Sequence, residues 1–251
     1  MKIVYKSNAG VILETDNIRM AVDLFCDAED LPYTSVSAQL VKAIVNRETP
    51  YEKIDYMLYT HKHIDHFNAE MVNEYLSVSG KTKIIAPYGT ATQLLSSLFE
   101  EKDNSIIALS MDKKEKLKFE DNSVSITAYD FKHEGNESSE EENIGYLIEL
   151  EGKKILHVGD ACISEDNFNH TGLEGEEIDL LIAPFPYITR TDGIDIISKY
   201  IKPKKIAVVH LPADEKDFCG WNRAARKSAQ KMRNGFAQVS LFTEIDQEIN
   251  I

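Results

Sequence analysis

Between residues 59 and 67 the chain reads YTHKHIDHF, placing His61, His63, Asp65 and His66 within six positions, although 251 residues contain only seven histidines. In an extended segment, side chains two apart point the same way, so His61 and His63 can reach one cation together. The adjacent Asp65–His66 pair can turn towards a second. Neutral imidazole and carboxylate are common ligands of zinc and similar ions, and the run has no packing rationale. Four donors in one loop are too few for two ions. His133 follows the apolar run SVSITAYDF, Asp160 ends KKILHVGD, and His210 ends KKIAVVH. Three strands that each finish in a donor would make a rigid site. Asp160 could use both oxygens to bridge two cations roughly 3.5–4 Å apart, a spacing at which they share a water and activate it.

The elements that must position these donors are short. KIVYK, GVILET and RMAVDLF read as opening strands, and an irregular or helical insertion spans about 27–50, with a helix over VSAQLVKAIV. IDYMLYT is a buried strand running directly into the histidine cluster. NAEMVNEYLSVSG is a helix ending at Gly80, with Glu70 in its first turn. KIIAP and GTATQLLSSLFEEK follow as strand and helix. SIIALS, KLKFE and SVSITAYDF are strands, the last two joined by a turn at Asp121-Asn122. IGYLIELEGKKILHVGD is a hairpin about Glu151-Gly152, followed by a strand (IDLLIAPF), a helix (GIDIISKYI) and a strand (KKIAVVHLP). A late helix (NRAARKSAQKMRN) and a closing strand (QVSLFTE) complete the chain. Strand meanders with interspersed helices suit a layered α/β (α+β) domain with mixed sheets. No linker separates two domains, so the expectation is one domain over 1–251.

Composition narrows the function classes. With 28 Lys+Arg against 42 Asp+Glu the net charge is −14, which disfavours nucleic acid and anionic lipid as partners. The N-terminus lacks a signal peptide's apolar run, and no stretch approaches the roughly 18 apolar residues of a membrane helix. Cys26, Cys162 and Cys219 are an odd count without CxxC spacing, which points to reduced thiols and a cytoplasmic protein. The acidic run HEGNESSEEEN, 133–143, reads as a solvated loop.

The motif THKHIDHF resembles the HxHxDH signature of the metallo-β-lactamase-fold hydrolases. The resemblance covers almost the whole chain, from NAGVILET and MAVDLF, which carries the family's aspartate at Asp23, to KPKKIAVVHL. It implies a four-layer αββα sandwich of two mixed sheets flanked by helices, with the site at one edge between the sheets. It also implies that His61, His63 and His133 hold one metal, that Asp65, His66 and His210 hold a second, and that Asp160 bridges them. ILHVGDAC and LIAPFPYITRTDG resemble the branch containing L-ascorbate-6-phosphate lactonase.

The expected activity is metal-dependent hydrolysis of a small-molecule lactone, ester or phosphodiester. Two divalent ions carry it, with zinc expected and manganese, iron or nickel compatible with the same donors. Asp65 would orient the nucleophile or accept its proton. Alternatives are a nuclease or phosphodiesterase acting on nucleic acid, a mononuclear-iron persulfide dioxygenase, and a non-enzymatic metal-binding role. Arg190, in a loop after a strand, is a candidate partner for an anionic substrate. His157 is a strand histidine near the site that is also a candidate substrate contact. His170 reads as a loop residue, Cys162 as a small buried thiol, and Phe218 and Trp221 as pocket wall or core. The 27–50 insertion would shape the pocket or form the contact of a homo-oligomer.

Overall fold

The computed structural model describes residues 1–79, 81–97, 106–111, 116–121, 124–135, 141–232 and 238–251. Unit 1 comprises Met1–Ser110 and Glu244–Asn250; unit 2 comprises Met111–Thr243 with Ile251. The expected end of the second helix at Gly80, part of the turn at Asp121-Asn122 and positions 136–140 of the acidic run lie outside the described residues.

In unit 1, three apolar runs form an antiparallel meander, β1 (Lys2–Tyr5), β2 (Val11–Glu14) and β3 (Arg19–Val22). Then come α1 (Ala38–Val45), β4 (Tyr56–Leu58), α2 (Ala69–Val78), β5 (Lys83–Pro87), α3 (Tyr88–Ser97) and β6 (Ile106–Leu109). α1 starts where the Ser37 hydroxyl accepts the Leu40 N–H, and α2 where the Asn68 side chain accepts the N–H groups of Glu70 and Met71. α2 buries Val72, Tyr75 and Leu76, the i, i+3, i+4 stripe of an amphipathic helix.

In unit 2, β7 (Lys116–Asp121), β8 (Val124–Asp130), β9 (Ile144–Leu150) and β10 (Lys153–His157) form a second meander. Glu151 and Gly152 join β9 to β10 with φ of 50° and 73°, the pair of left-handed residues that a tight hairpin turn requires. α4 (Glu165–Phe168), β11 (Leu180–Pro184), α5 (Pro186–Thr189) and α6 (Thr191–Ile196, continued by a π-helical turn to Ile201) follow. β12 (Lys205–Val209), α7 (Trp221–Met232) and β13 (Gln238–Leu241) complete the unit. The chain ends with β14 (Glu248–Asn250), which pairs with β1 in unit 1.

Each unit has one seven-stranded mixed sheet, ordered β14-β1-β2-β3-β4-β5-β6 and β13-β12-β11-β10-β9-β8-β7. Strand direction decides where the donors emerge. β3, β4 and β5 are parallel, so Asp23, the histidine cluster and Tyr88 leave one edge of the first sheet. β8 is antiparallel to β9, β9 to β10, and β10, β11 and β12 are parallel. His133, Asp160 and His210 therefore all leave one edge of the second. Each sheet has its own apolar cluster, built on residues such as Phe25, Tyr75 and Ile84 in unit 1 and Phe168, Leu181 and Val208 in unit 2.

Two elements differ from expectation. The segment FPYITRT, read as a loop, contains α5, because Pro186 at the first helical position fixes φ where no N–H is needed. The residue closing the acidic run, Asn143, is buried at 1% exposure. No helix among the described residues is long and apolar enough to cross a membrane.

Candidate metal centre

In unit 1 the Asp23 carboxylate is fully buried and takes three contacts. It accepts the Thr60 N–H at 2.8 Å and the Thr60 hydroxyl at 2.7 Å, and it lies 2.9 Å from His66 Nδ1. A carboxylate on Nδ1 fixes the proton there and makes Nε2 the ligand atom. His66 Nε2 is 3.8 Å from Asp65 Oδ2. The Thr60 hydroxyl, already donating to Asp23, lies 3.0 Å from His61 Nδ1, so it accepts that ring's proton and orients His61 in the same manner. The His61 ring centroid is 4.7 Å from that of His63 and 4.1 Å from that of His66. The turn between them is tied down: His63 C=O accepts the N–H groups of His66 and Phe67, and Ile64 C=O accepts that of Asp27. Asn8 donates to both the backbone and the side chain of Asp65, at 3.1 and 3.0 Å. His61, His66 and Asp65 are buried and His63 is exposed.

In unit 2, Asp160 is the hub. Its Oδ2 lies 3.3 Å from His210 Nε2 and 3.9 Å from His133 Nε2, as an oxygen shared between two ligand rings would. His133 Nδ1 is held by the Glu134 carbonyl, which again aims Nε2 at the site. The segments carrying His133 and Asp160 are joined by a bridge between His133 and Ala161. Glu134 N–H donates to Asp160 C=O, and Cys162 N–H to Lys132 C=O, both at 2.8 Å. His210 adopts φ 59° immediately after β12, a left-handed conformation uncommon for a non-glycine residue.

No local pattern in the sequence marks the side chains that brace this turn. Asn143 accepts the Asp160 N–H at 2.9 Å and donates to Val158 C=O at 3.1 Å. Asn167 donates to Cys162 C=O at 2.9 Å, and the Tyr187 hydroxyl to Ala161 C=O at 2.9 Å. His157 is fully buried, and its Nδ1 accepts the Gly159 N–H at 3.1 Å.

Arg190 donates to Glu134 at 3.0 Å and to both oxygens of Asp192, so two carboxylates share its charge, and the Asp192 hydrogen bond raises its pKa. Burial, and then the neighbouring Glu134 carboxylate, push the Cys162 thiol up to about 11. His170 is exposed, its Nδ1 3.1 Å from its neighbour Asn169. Trp221 stacks on Phe185 with centroids 5.2 Å apart, whereas Phe218 is 90% exposed and is no part of a core.

The donors fit a divalent metal in kind. They are five imidazoles, three of them (His61, His66 and His133) anchored through Nδ1, together with carboxylates, which suits zinc, iron, nickel or manganese. The model for the beta-lactamase superfamily domain matches residues 32–215, well over half of the chain. The chain belongs to this superfamily. A UPF0173 metal-dependent hydrolase of Exiguobacterium is 22% identical over 232 residues, covering 87% of this chain and 92% of that one. Igni18, a metallo hydrolase of Ignicoccus hospitalis, has a similar fold over 100% of this chain and 98% of its own, with a TM-score of 0.67 and 15% identity. The β-hydroxylase CmlA, whose wild-type form is a diiron enzyme of Streptomyces venezuelae, gives a TM-score of 0.71 at 12% identity for its E377D mutant; this chain spans only 54% of it. The fold, two mixed seven-stranded sheets flanked by helices, is thus the metallo-β-lactamase α/β sandwich, and the chain is an enzyme of its metal-dependent hydrolase class.

Proposed function

We propose that the two units act as one catalytic domain over 1–251 that holds two divalent ions, with zinc the best match to a histidine-rich donor set. In this reading His61, His63 and His133 bind one ion, Asp65, His66 and His210 bind the other, and Asp160 is shared. The observation that carries it is the anchoring of His61, His66 and His133 through Nδ1, which a ligand histidine needs and a packed one does not. Bound divalent ions supply the Lewis acidity that ionises water near neutral pH and polarises the attacked group. The protein's part is to hold this geometry and to manage protons. Asp65, steadied by Asn8, orients the nucleophile and accepts its proton, while Asp160 keeps the His133 and His210 rings in register.

For substrate, we favour a small lactone or ester over a phosphodiester of nucleic acid. A net charge of −14 repels a polyanion, and Arg190 is already engaged by Glu134 and Asp192. Exposed Ile64, between the ligands His63 and Asp65, offers an apolar contact that a neutral organic substrate can use. The similarity to the lactonase branch points the same way. His157 serves this site by bracing the Gly159 turn.

The test is a panel of lactones, esters and phosphodiesters offered to zinc-, manganese- and iron-loaded protein, with Asp160→Ala as control. Hydrolysis of a lactone or ester that Asp160→Ala abolishes is expected. Cleavage of a nucleic acid alone, or thiol oxidation by protein with one iron per chain, would replace this reading.

A further inference from the structure

We propose that Asn143 is a positioning residue for the metal centre: it presets the Asp160 carboxylate by holding the backbone turn that carries it. The inference rests on the assignment of Asp160 as the shared ligand.

Asn143 is 1% exposed, and its side chain spends one donor and one acceptor on a single turn, Val158 to Asp160. Its carbonyl oxygen receives the Asp160 N–H at 2.9 Å, and its amide donates to Val158 C=O at 3.1 Å. A buried asparagine spanning 15 to 17 residues of sequence to grip both ends of a three-residue turn fixes its φ and ψ from outside. The turn needs such a grip because Gly159 sits at φ 58°, where glycine keeps many alternatives open. The other bonds around it close the frame: Gly159 N–H to His157 Nδ1, Asp160 C=O from Glu134 N–H, and Ala161 C=O from the Tyr187 hydroxyl. Of these braces, only Asn143 holds the ligand residue's own amide through a side chain.

A second contact couples this grip to the other ligand of the unit. The backbone carbonyl of Asn143 accepts the Phe131 N–H at 3.1 Å, two residues before His133. One residue therefore references both the His133 segment and the Asp160 turn, whose side chains lie 3.9 Å apart at Nε2 and Oδ2. A shift of about 1 Å in a ligand position is enough to spoil a preorganised site. The Phe131 bond uses only backbone atoms, so side-chain substitutions leave the β8–β9 junction intact.

The experiment compares wild type, Asn143→Leu, Asn143→Ala and a stability control, Ile206→Val, which trims the buried core of the same unit. Zinc affinity and stoichiometry are measured by competition with a chromophoric chelator on the apo full-length chain, with thermal unfolding of each apo protein alongside. Asn143→Leu matches the volume, and Asn143→Ala leaves room for a water where the isosteric change does not fold. Asn143 variants are expected to bind zinc about 10–100-fold more weakly, as loss of an outer-shell partner does. On the lactone or ester identified in the panel, kcat should fall while KM stays within about twofold. Ile206→Val should lose thermal stability with its zinc affinity unchanged. Wild-type zinc affinity in a folded Asn143 variant overturns the inference, as does a loss no larger than that of Ile206→Val at equal destabilisation. Wild-type protein that binds no zinc overturns the assignment of Asp160 as well.

Discussion

Replacing Asp23 by asparagine isolates the tautomer argument on which the second ion depends. The substitution preserves volume in a fully buried site and leaves Oδ1 to accept the Thr60 N–H. The amide nitrogen then replaces the oxygen that contacts the Thr60 hydroxyl at 2.7 Å and His66 Nδ1 at 2.9 Å. The hydroxyl can accept from the amide on one lone pair and still accept from His61 Nδ1, 3.0 Å away, on the other. His66 cannot keep its Nδ1 proton against another donor, so the ring shifts its proton to Nε2, the nitrogen that must bind metal. The loss is that of one hydrogen bond to a charged group, ~2 kcal/mol, or roughly 30-fold in affinity for one equivalent. Chelator competition on Asp23→Asn should show one zinc near wild-type affinity and the other weakened by that factor. Two wild-type affinities in a folded Asp23→Asn protein would refute the reasoning.

Four further outcomes are expected. Asp160→Ala should reduce turnover to background while the apo protein still unfolds cooperatively by circular dichroism. Removal of metal by a chelator should lower the unfolding temperature, and zinc restored to about 100-fold over its Kd should add ~2.7 kcal/mol of stability, read by denaturant titration. Of the cysteines, exposed Cys219 should react quickly with a disulfide reagent at pH 8; Cys26 and Cys162, each pushed up to about 11, should be slow. Asp179, buried but accepting the Lys154 N–H and the Lys204 ammonium, has a net lowered pKa, so it stabilises the fold above its ordinary value of 3.8. That contribution fades as pH falls through the lower folded value, so Asp179→Asn should destabilise at pH 7 and approach neutrality at strongly acid pH.

The legible parts of this molecule were those whose information is local. The HKHIDH run announces itself because six adjacent positions carry four donors, and β2, β5 and β9 because their apolar runs are continuous. Asp160 and His210 could be found because each terminates an apolar run. Asn143 could not, since a single asparagine at the end of an acidic run looks like solvated loop, and its partners, Val158 and Asp160, are 15 and 17 residues away. Tyr187 and Asn167 were hidden for the same reason: Tyr187 reaches Ala161 C=O across 26 residues and Asn167 reaches Lys132 C=O across 35. β14 was missed because three residues, EIN, carry no periodicity, and the strand exists by pairing with β1. The braces, which act at a distance in sequence, needed coordinates; the ligands did not.

The most direct test of the central claim is anomalous diffraction at the zinc edge from crystals of zinc-loaded protein. The account predicts two peaks per chain at ligand distances of roughly 2.0–2.2 Å: one on His61, His63 and His133, the other on Asp65, His66 and His210, with Asp160 touching both. Peaks that leave out Asp160 or His210, or zinc bound away from the histidine run, would contradict it.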